Sequence, residues 1–136
     1  MSPKRTAGPQ RQGASALIVD DDAIHRRTAS MLMRSLGFDL ETAANGQEAL
    51  QALEHRRFDV VLMDLHMPVM DGITATREIH QRWPAPQRPM IVAVTATDIP
   101  GERARYLEAG AAACLSKPID RHQLADVLAP LLRAQA

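Results

Sequence analysis

Four short stretches of this chain carry residue types that together could move a phosphoryl group. They are the acidic run Asp20-Asp21-Asp22, Asp64 within Leu62-Met63-Asp64-Leu65-His66-Met67-Pro68, Thr95, and Lys117-Pro118. Each stands where an apolar, strand-like run ends. Carboxylates brought close together raise one another's pKa unless a cation joins them. Oxygen-only donors in a partly open cleft suit Mg²⁺ better than zinc. Asp20 and Asp21 are the expected ligands, and a backbone carbonyl just after Asp64, at His66, is placed to complete the shell. Asp22 is at least as well suited to cap the helix that follows. Asp64 is expected to act differently, because a carboxylate fixed beside the metal can attack phosphorus and become an aspartyl phosphate. Lys117 would set a second cation against the phosphate oxygens and Thr95 a hydroxyl, so that the protein mainly positions.

The elements that must carry these residues can be read from hydrophobic patterning. Ala16 to Val19 is a strand candidate, followed by a helix from Ala23 to Leu36 with apolar residues at Ile24, Met31, Leu32 and Leu36 and a stop at Gly37. Phe38 to Ala43 is a weaker, alternating strand of the kind found near an edge. Asn45-Gly46 starts a helix to about His55 with Ala49, Leu50 and Leu53 on one face. Asp59 to Met63 is nearly continuous in apolar residues, as in a parallel strand buried on both faces. Asp71-Gly72 opens a helix through Ile73 and Ile79 to about Trp83, and Met90 to Val94 is the next strand. A helix over about 100 to 109, with Tyr106 and Leu107 as anchors, ends at Gly110. Ala112 to Leu115 is the last strand. The final helix runs from Arg121 to Leu132 with Leu124, Val127, Leu128 and Leu131 on one stripe, and Pro130 is expected to distort or stop its last turn.

Strands alternating with helices predict an α/β domain with a doubly wound, mostly parallel sheet. Ligands of such sheets bind beyond the carboxyl ends of the strands, where strand order reverses. The chemistry-bearing residues all fall at those ends.

Composition agrees with a single globular domain. The chain has 136 residues, enough for one core without covalent staples. Hydrophobic residues make up 46% and charged ones 24%, while aromatics at 3% leave the core to aliphatic side chains and Met. Sixteen basic residues balance sixteen acidic ones, so no global field draws the chain to nucleic acid or membrane. Cys114 is the only cysteine, which excludes an internal disulfide and a cysteine zinc cluster. No run approaches a membrane span and no signal-peptide core stands at the N-terminus, so a cytoplasmic location is expected. Residues 1–14, rich in Pro, Gly and polar side chains, read as a leader or linker, and residues 15–136 as the domain. His25, His55, His80 and His122 are scattered over helices and read as surface residues.

The stretches Leu17-Ile18-Val19-Asp20-Asp21-Asp22, Asp59 to Gly72, Val94-Thr95-Ala96 and Leu115-Ser116-Lys117-Pro118 resemble the receiver domain of two-component response regulators, over residues 16 to about 133. The resemblance implies a flavodoxin-like sheet of five parallel strands in the order 2-1-3-4-5 with five helices. It implies transfer of a phosphoryl group from a phosphohistidine, on a histidine kinase or histidine phosphotransfer domain, to Asp64. Mg²⁺ would be held by Asp21, Asp64 and the His66 carbonyl, with Asp20 acting through water. Thr95, Ala96 and Lys117 would bind the phosphate, His66 and Thr97 would tune its lifetime, and the Lys117-Pro118 bond would be cis. The family's switch pairs the threonine with an aromatic residue three positions before the lysine. Here that position is Cys114, so the aromatic half of the switch is expected to be absent or replaced.

Leu62 to Arg77 is similar in particular to receivers carried by hybrid sensor kinases, which implies a part of a larger histidine kinase. A stand-alone regulator is the alternative. Output would pass to another protein or domain through the face of the fourth helix, fifth strand and fifth helix, where a homodimer could also form. By itself such a domain catalyses only its own phosphorylation and dephosphorylation. A phosphorylation-independent scaffold is a further class, and an aspartyl-phosphate phosphatase is disfavoured because His66 stands where such enzymes use a second acid.

Overall fold

The computed structural model describes residues 14–64, 71–84, 87–95 and 101–134, the last four by their backbone alone. The elements alternate strictly: β1 (Ser15–Val19), α1 (Ala23–Ser35), β2 (Asp39–Ala43), α2 (Gly46–His55), β3 (Val60–Asp64), α3 (Gly72–Arg82), β4 (Met90–Thr95), α4 (Glu102–Ala109), β5 (Ala113–Ser116) and α5 (Arg121–Ala134). The five strands form one sheet in the order β2-β1-β3-β4-β5, and every neighbouring pair is parallel.

Strand side chains alternate between two cores. Leu17, Val19, Val61, Met63, Ile91, Ala93 and Cys114 pack with α2, α3 and α4. Ala16, Ile18, Val60, Leu62 and Val92 pack with α1 and α5. β3 lies in the middle and all five of its residues are buried, which accounts for its apolar sequence. Ala14, assigned to the leader from sequence, is buried, and its carbonyl accepts the Asp39 N–H at 3.0 Å.

Short polar side chains start the first three helices. Asp22 Oδ1 accepts the N–H groups of Ile24 (2.8 Å) and His25 (3.2 Å), Asn45 Oδ1 that of Glu48 (2.9 Å), and Asp71 Oδ1 that of Thr74 (2.8 Å). These caps satisfy donors that the helix leaves open. α1 ends at Leu36, and Gly37 leaves it at φ 97°, a left-handed conformation that glycine adopts without strain.

Three expectations about packing need correction. Ile24 and Met31 of α1 are 73% and 64% exposed. Ala29 and Met33 meet the sheet instead, with Leu32 and Leu36 packed against the same core. Tyr106 anchors α4, but Leu107 is exposed. α5 runs past its expected end at Leu132 to Ala134, so Pro130 does not stop the last turn. The carbonyl that Pro130 leaves without an N–H partner belongs to Asp126, four residues back, and both residues are exposed, so water can take the missing bond.

His80 also departs from its expected surface role. Its Nε2 lies 2.8 Å from the Gly110 carbonyl oxygen and ties α3 to the end of α4. Gly110 has φ 122°, and a Cβ there would collide with the His80 ring. Gly110→Ala is therefore expected to destabilise the fold by about 1–3 kcal/mol in denaturant unfolding.

Candidate functional site

The strand register sets the site residues side by side. Val19 pairs with Met63, so Asp20 follows β1 beside Asp64 at the end of β3. Asp64 pairs with Val94 and Thr95 with Ser116, which puts Thr95 and Lys117 on the next two strand ends. The Lys117 N–H donates to the Thr95 carbonyl at 2.7 Å. Strand order reverses between β1 and β3, and Asp20 and Asp64 flank that point.

Asp20 and Asp64 are buried, at 6% and 5% exposure, whereas Asp21 is exposed. One carboxylate oxygen from each of Asp20, Asp21 and Asp64 lies within 4.8 Å of the other two, a spacing that could hold a metal ion. Lys117 Nζ lies 3.1 Å from Asp20 Oδ2 and 3.3 Å from Asp64 Oδ1. Burial works against its charge, but the hydrogen bond to Asp20 and the charge of Asp64 prevail and hold the ammonium pKa above its ordinary value. The Lys117-Pro118 peptide bond is cis.

The turn after β1 is held locally. Asp20 Oδ1 accepts the Asp22 N–H at 2.9 Å, and Arg26 Nη1 donates to the Asp20 carbonyl at 2.7 Å. Asp22 points into its helix, where the His25 and Ile24 N–H groups lower its pKa. It therefore serves α1 as a cap.

Thr95 is buried and donates from Oγ1 to Glu102 Oε1 at 2.8 Å. Glu102, the first residue of α4, was not singled out from sequence. An acid in a first helical turn, seven residues after the candidate hydroxyl, was the available signal. Cys114 is buried in the same core as Tyr106. Burial, reinforced by the Glu102 carboxylate, holds the Tyr106 phenol far above its usual pKa. His66, Ala96 and Thr97 lie outside the described residues.

His25 was also missed. Its Nδ1 is 3.1 Å from Lys117 Nζ, although 92 positions separate the two residues. Both line a cavity of about 450 Å³ between α1 and the turn before α5, which also touches Asp20 and Asp64.

Three carboxylates against one ammonium leave two negative charges in excess, which a divalent cation would balance. Hard oxygen donors at this spacing fit Mg²⁺.

The family model described as "Response regulator receiver domain" matches residues 16–129. The sensor histidine kinase RcsC of Salmonella typhi is 40% identical over 113 residues, which cover 83% of this chain and 12% of that protein. The chain thus spans about an eighth of that relative. The two-component response regulator ARR22 of Arabidopsis thaliana is 33% identical over 147 aligned residues, covering 98% of this chain and 100% of that protein. Among solved structures, the receiver domain of sensor histidine kinase PA1611 from Pseudomonas aeruginosa PAO1 superposes with a TM-score of 0.79 at 34% identity, covering 89% of this chain and 98% of that one. That structure is described with a magnesium ion coordinated in its active site cleft.

Lys117 pairs with Asp20 and Asp64 but has no such bond to exposed Asp21. Asp21→Asn should therefore relieve repulsion and raise stability in chelator by about 0.5–1 kcal/mol. It should also reduce the further stabilisation by Mg²⁺, as read from unfolding curves with and without the ion.

Proposed function

The chain belongs to the response regulator receiver domain family, and on that premise we propose that Asp64 takes a phosphoryl group from a phosphohistidine. The observation that carries the proposal is the convergence of Asp20, Asp64 and Lys117, with Nζ 3.1 and 3.3 Å from the two carboxylates, at the point where strand order reverses. An Asp64 carboxylate oxygen attacks phosphorus as the phosphorus–nitrogen bond breaks. The bonding pair leaves with the imidazole nitrogen, which takes up a proton. Lys117 then stands beside the new phosphoryl oxygens and holds them by charge.

Asp20, Asp21 and Asp64, with the His66 carbonyl, are the proposed holders of Mg²⁺. When bound, the ion would offset charge on the transferring group. Burial of Asp20 and Asp64 on a rigid sheet fixes their approach, so catalysis by this chain is chiefly positioning. His66 and Thr97 are proposed to control access of water to the acyl phosphate.

The donor is a histidine kinase or histidine phosphotransfer domain. Ile24 and Met31, two turns apart on the exposed stripe of α1, offer it an apolar seat beside the site. The chemistry is the same whether the domain works within a hybrid kinase or alone. Output is proposed to pass through the face of α4, β5 and α5. The Thr95–Glu102 bond supports that route, because a Thr95 hydroxyl turning toward phosphate must give up its hold on the first residue of α4.

Intact-mass measurement after incubation with acetyl phosphate and Mg²⁺ tests the proposal. One base-labile phosphoryl adduct is expected, absent with chelator and absent in Asp64→Asn. An unmodified wild-type chain that still binds its partner would instead mark a scaffold. Ile24→Ser is expected to slow transfer from a phosphohistidine protein about tenfold while leaving labelling by acetyl phosphate unchanged, since only the protein donor needs the apolar seat.

A further inference from the structure

We infer that His25 is a positioning residue for Lys117, acting as a neutral hydrogen-bond acceptor that keeps the ammonium over the site while the carboxylates around it change. The inference rests on Asp64 being the phosphoacceptor and adds a residue to that chemistry.

The geometry determines the direction of the bond. Lysine ammonium has three donors and no acceptor. Lys117 Nζ meets three acceptor atoms: Asp20 Oδ2 at 3.1 Å, Asp64 Oδ1 at 3.3 Å and His25 Nδ1 at 3.1 Å. His25 Nδ1 must therefore present its lone pair, which places the ring proton on Nε2 and leaves the ring neutral. The same nitrogen lies 3.8 Å from Asp20 Oδ2 and 4.0 Å from Asp22 Oδ2, beyond hydrogen-bond reach. Its partner is the lysine.

The lysine needs such a partner. Its stem is long and flexible and lines a cavity rather than a closed wall. The position of Nζ is thus set by the groups it bonds. Two of those groups belong to the reacting centre: Asp64 becomes an acyl phosphate, a mixed anhydride, and Asp20 belongs to the acidic cluster that would face a divalent cation. The third is not consumed. His25 stands on the first turn of α1, and its own N–H is fixed by Asp22 Oδ1 at 3.2 Å. It offers Nζ an anchor that is the same before and after transfer.

His25→Leu keeps the bulk and removes the acceptor, whereas His25→Asn keeps an acceptor the same number of bonds from the backbone as Nδ1. At saturating Mg²⁺, His25→Leu is expected to slow acetyl phosphate labelling of Asp64 on the order of tenfold, with Mg²⁺ affinity unchanged. His25→Asn should recover most of the rate. Labelling of His25→Leu at the wild-type rate, or an Asn variant as slow as the Leu variant, overturns the inference while leaving Asp64 as phosphoacceptor. An unlabelled wild-type protein overturns both readings. Nitrogen-15 spectroscopy of the His25 ring in the wild-type protein gives a second readout independent of any variant. A proton on Nε2 and an accepting Nδ1 are expected, and a proton on Nδ1 overturns the assignment.

Discussion

Two buried carboxylates at the ends of adjacent strands share one ammonium, and much else in the molecule follows from that arrangement. At a few ångströms' separation and an effective dielectric near 20, two such charges repel by roughly 3–4 kcal/mol. Lys117, at 3.1 and 3.3 Å from Asp20 and Asp64, attracts each of them at least as strongly, so the trio holds together. The trio keeps one negative charge in excess, and exposed Asp21 makes it two. The site is thus stable enough to fold and still electrostatically unfinished, which suits a centre that gathers a cation and then a phosphoryl group.

A sheet built this way also leads outward. The Thr95 backbone is tied to Lys117, through the bond between its carbonyl and the lysine N–H, while its hydroxyl reaches Glu102 at the start of α4. One turn further along α4, Tyr106 is buried in the same core as Cys114. The small thiol leaves β5 without an aromatic side chain at that position, while Tyr106 of α4 shares this core with Phe58 and Trp83. Thr95 thus touches two elements at once, β5 through its backbone and α4 through its hydroxyl.

How much of this was legible in the sequence depends on range. The central strands were readable because a parallel strand covered on both faces must be apolar throughout, as Val60 to Met63 are. Asp20, Asp64, Thr95 and Lys117 could be placed together because each ends such a run, and parallel pairing brings those ends level. The core face of α1 was misjudged: Ile24 and Met31 are large and apolar, yet the helix meets the sheet through Ala29 and Met33. Size and hydropathy do not reveal which stripe of a helix faces inward when small residues permit close packing. That Pro130 does not stop the last turn was hidden for a different reason. Whether a lost hydrogen bond ends a helix depends on whether water can reach the freed carbonyl, and that is a property of the folded surface.

His25 and His80 show the same limit at longer range. Neither belongs to a local motif, and each takes its meaning from a partner distant in sequence: Lys117 Nζ for one, the Gly110 carbonyl for the other. Both imidazoles join elements that the sheet itself does not connect, α1 to the turn after β5 and α3 to the end of α4. A parallel sheet aligns strand ends through its own hydrogen bonds, but the helices and turns above it need separate ties. Imidazole suits such ties, being able to accept from an ammonium in one place and bond a carbonyl in another. The strand ends supply the groups proposed to react, and side chains from neighbouring elements determine how firmly those groups are held.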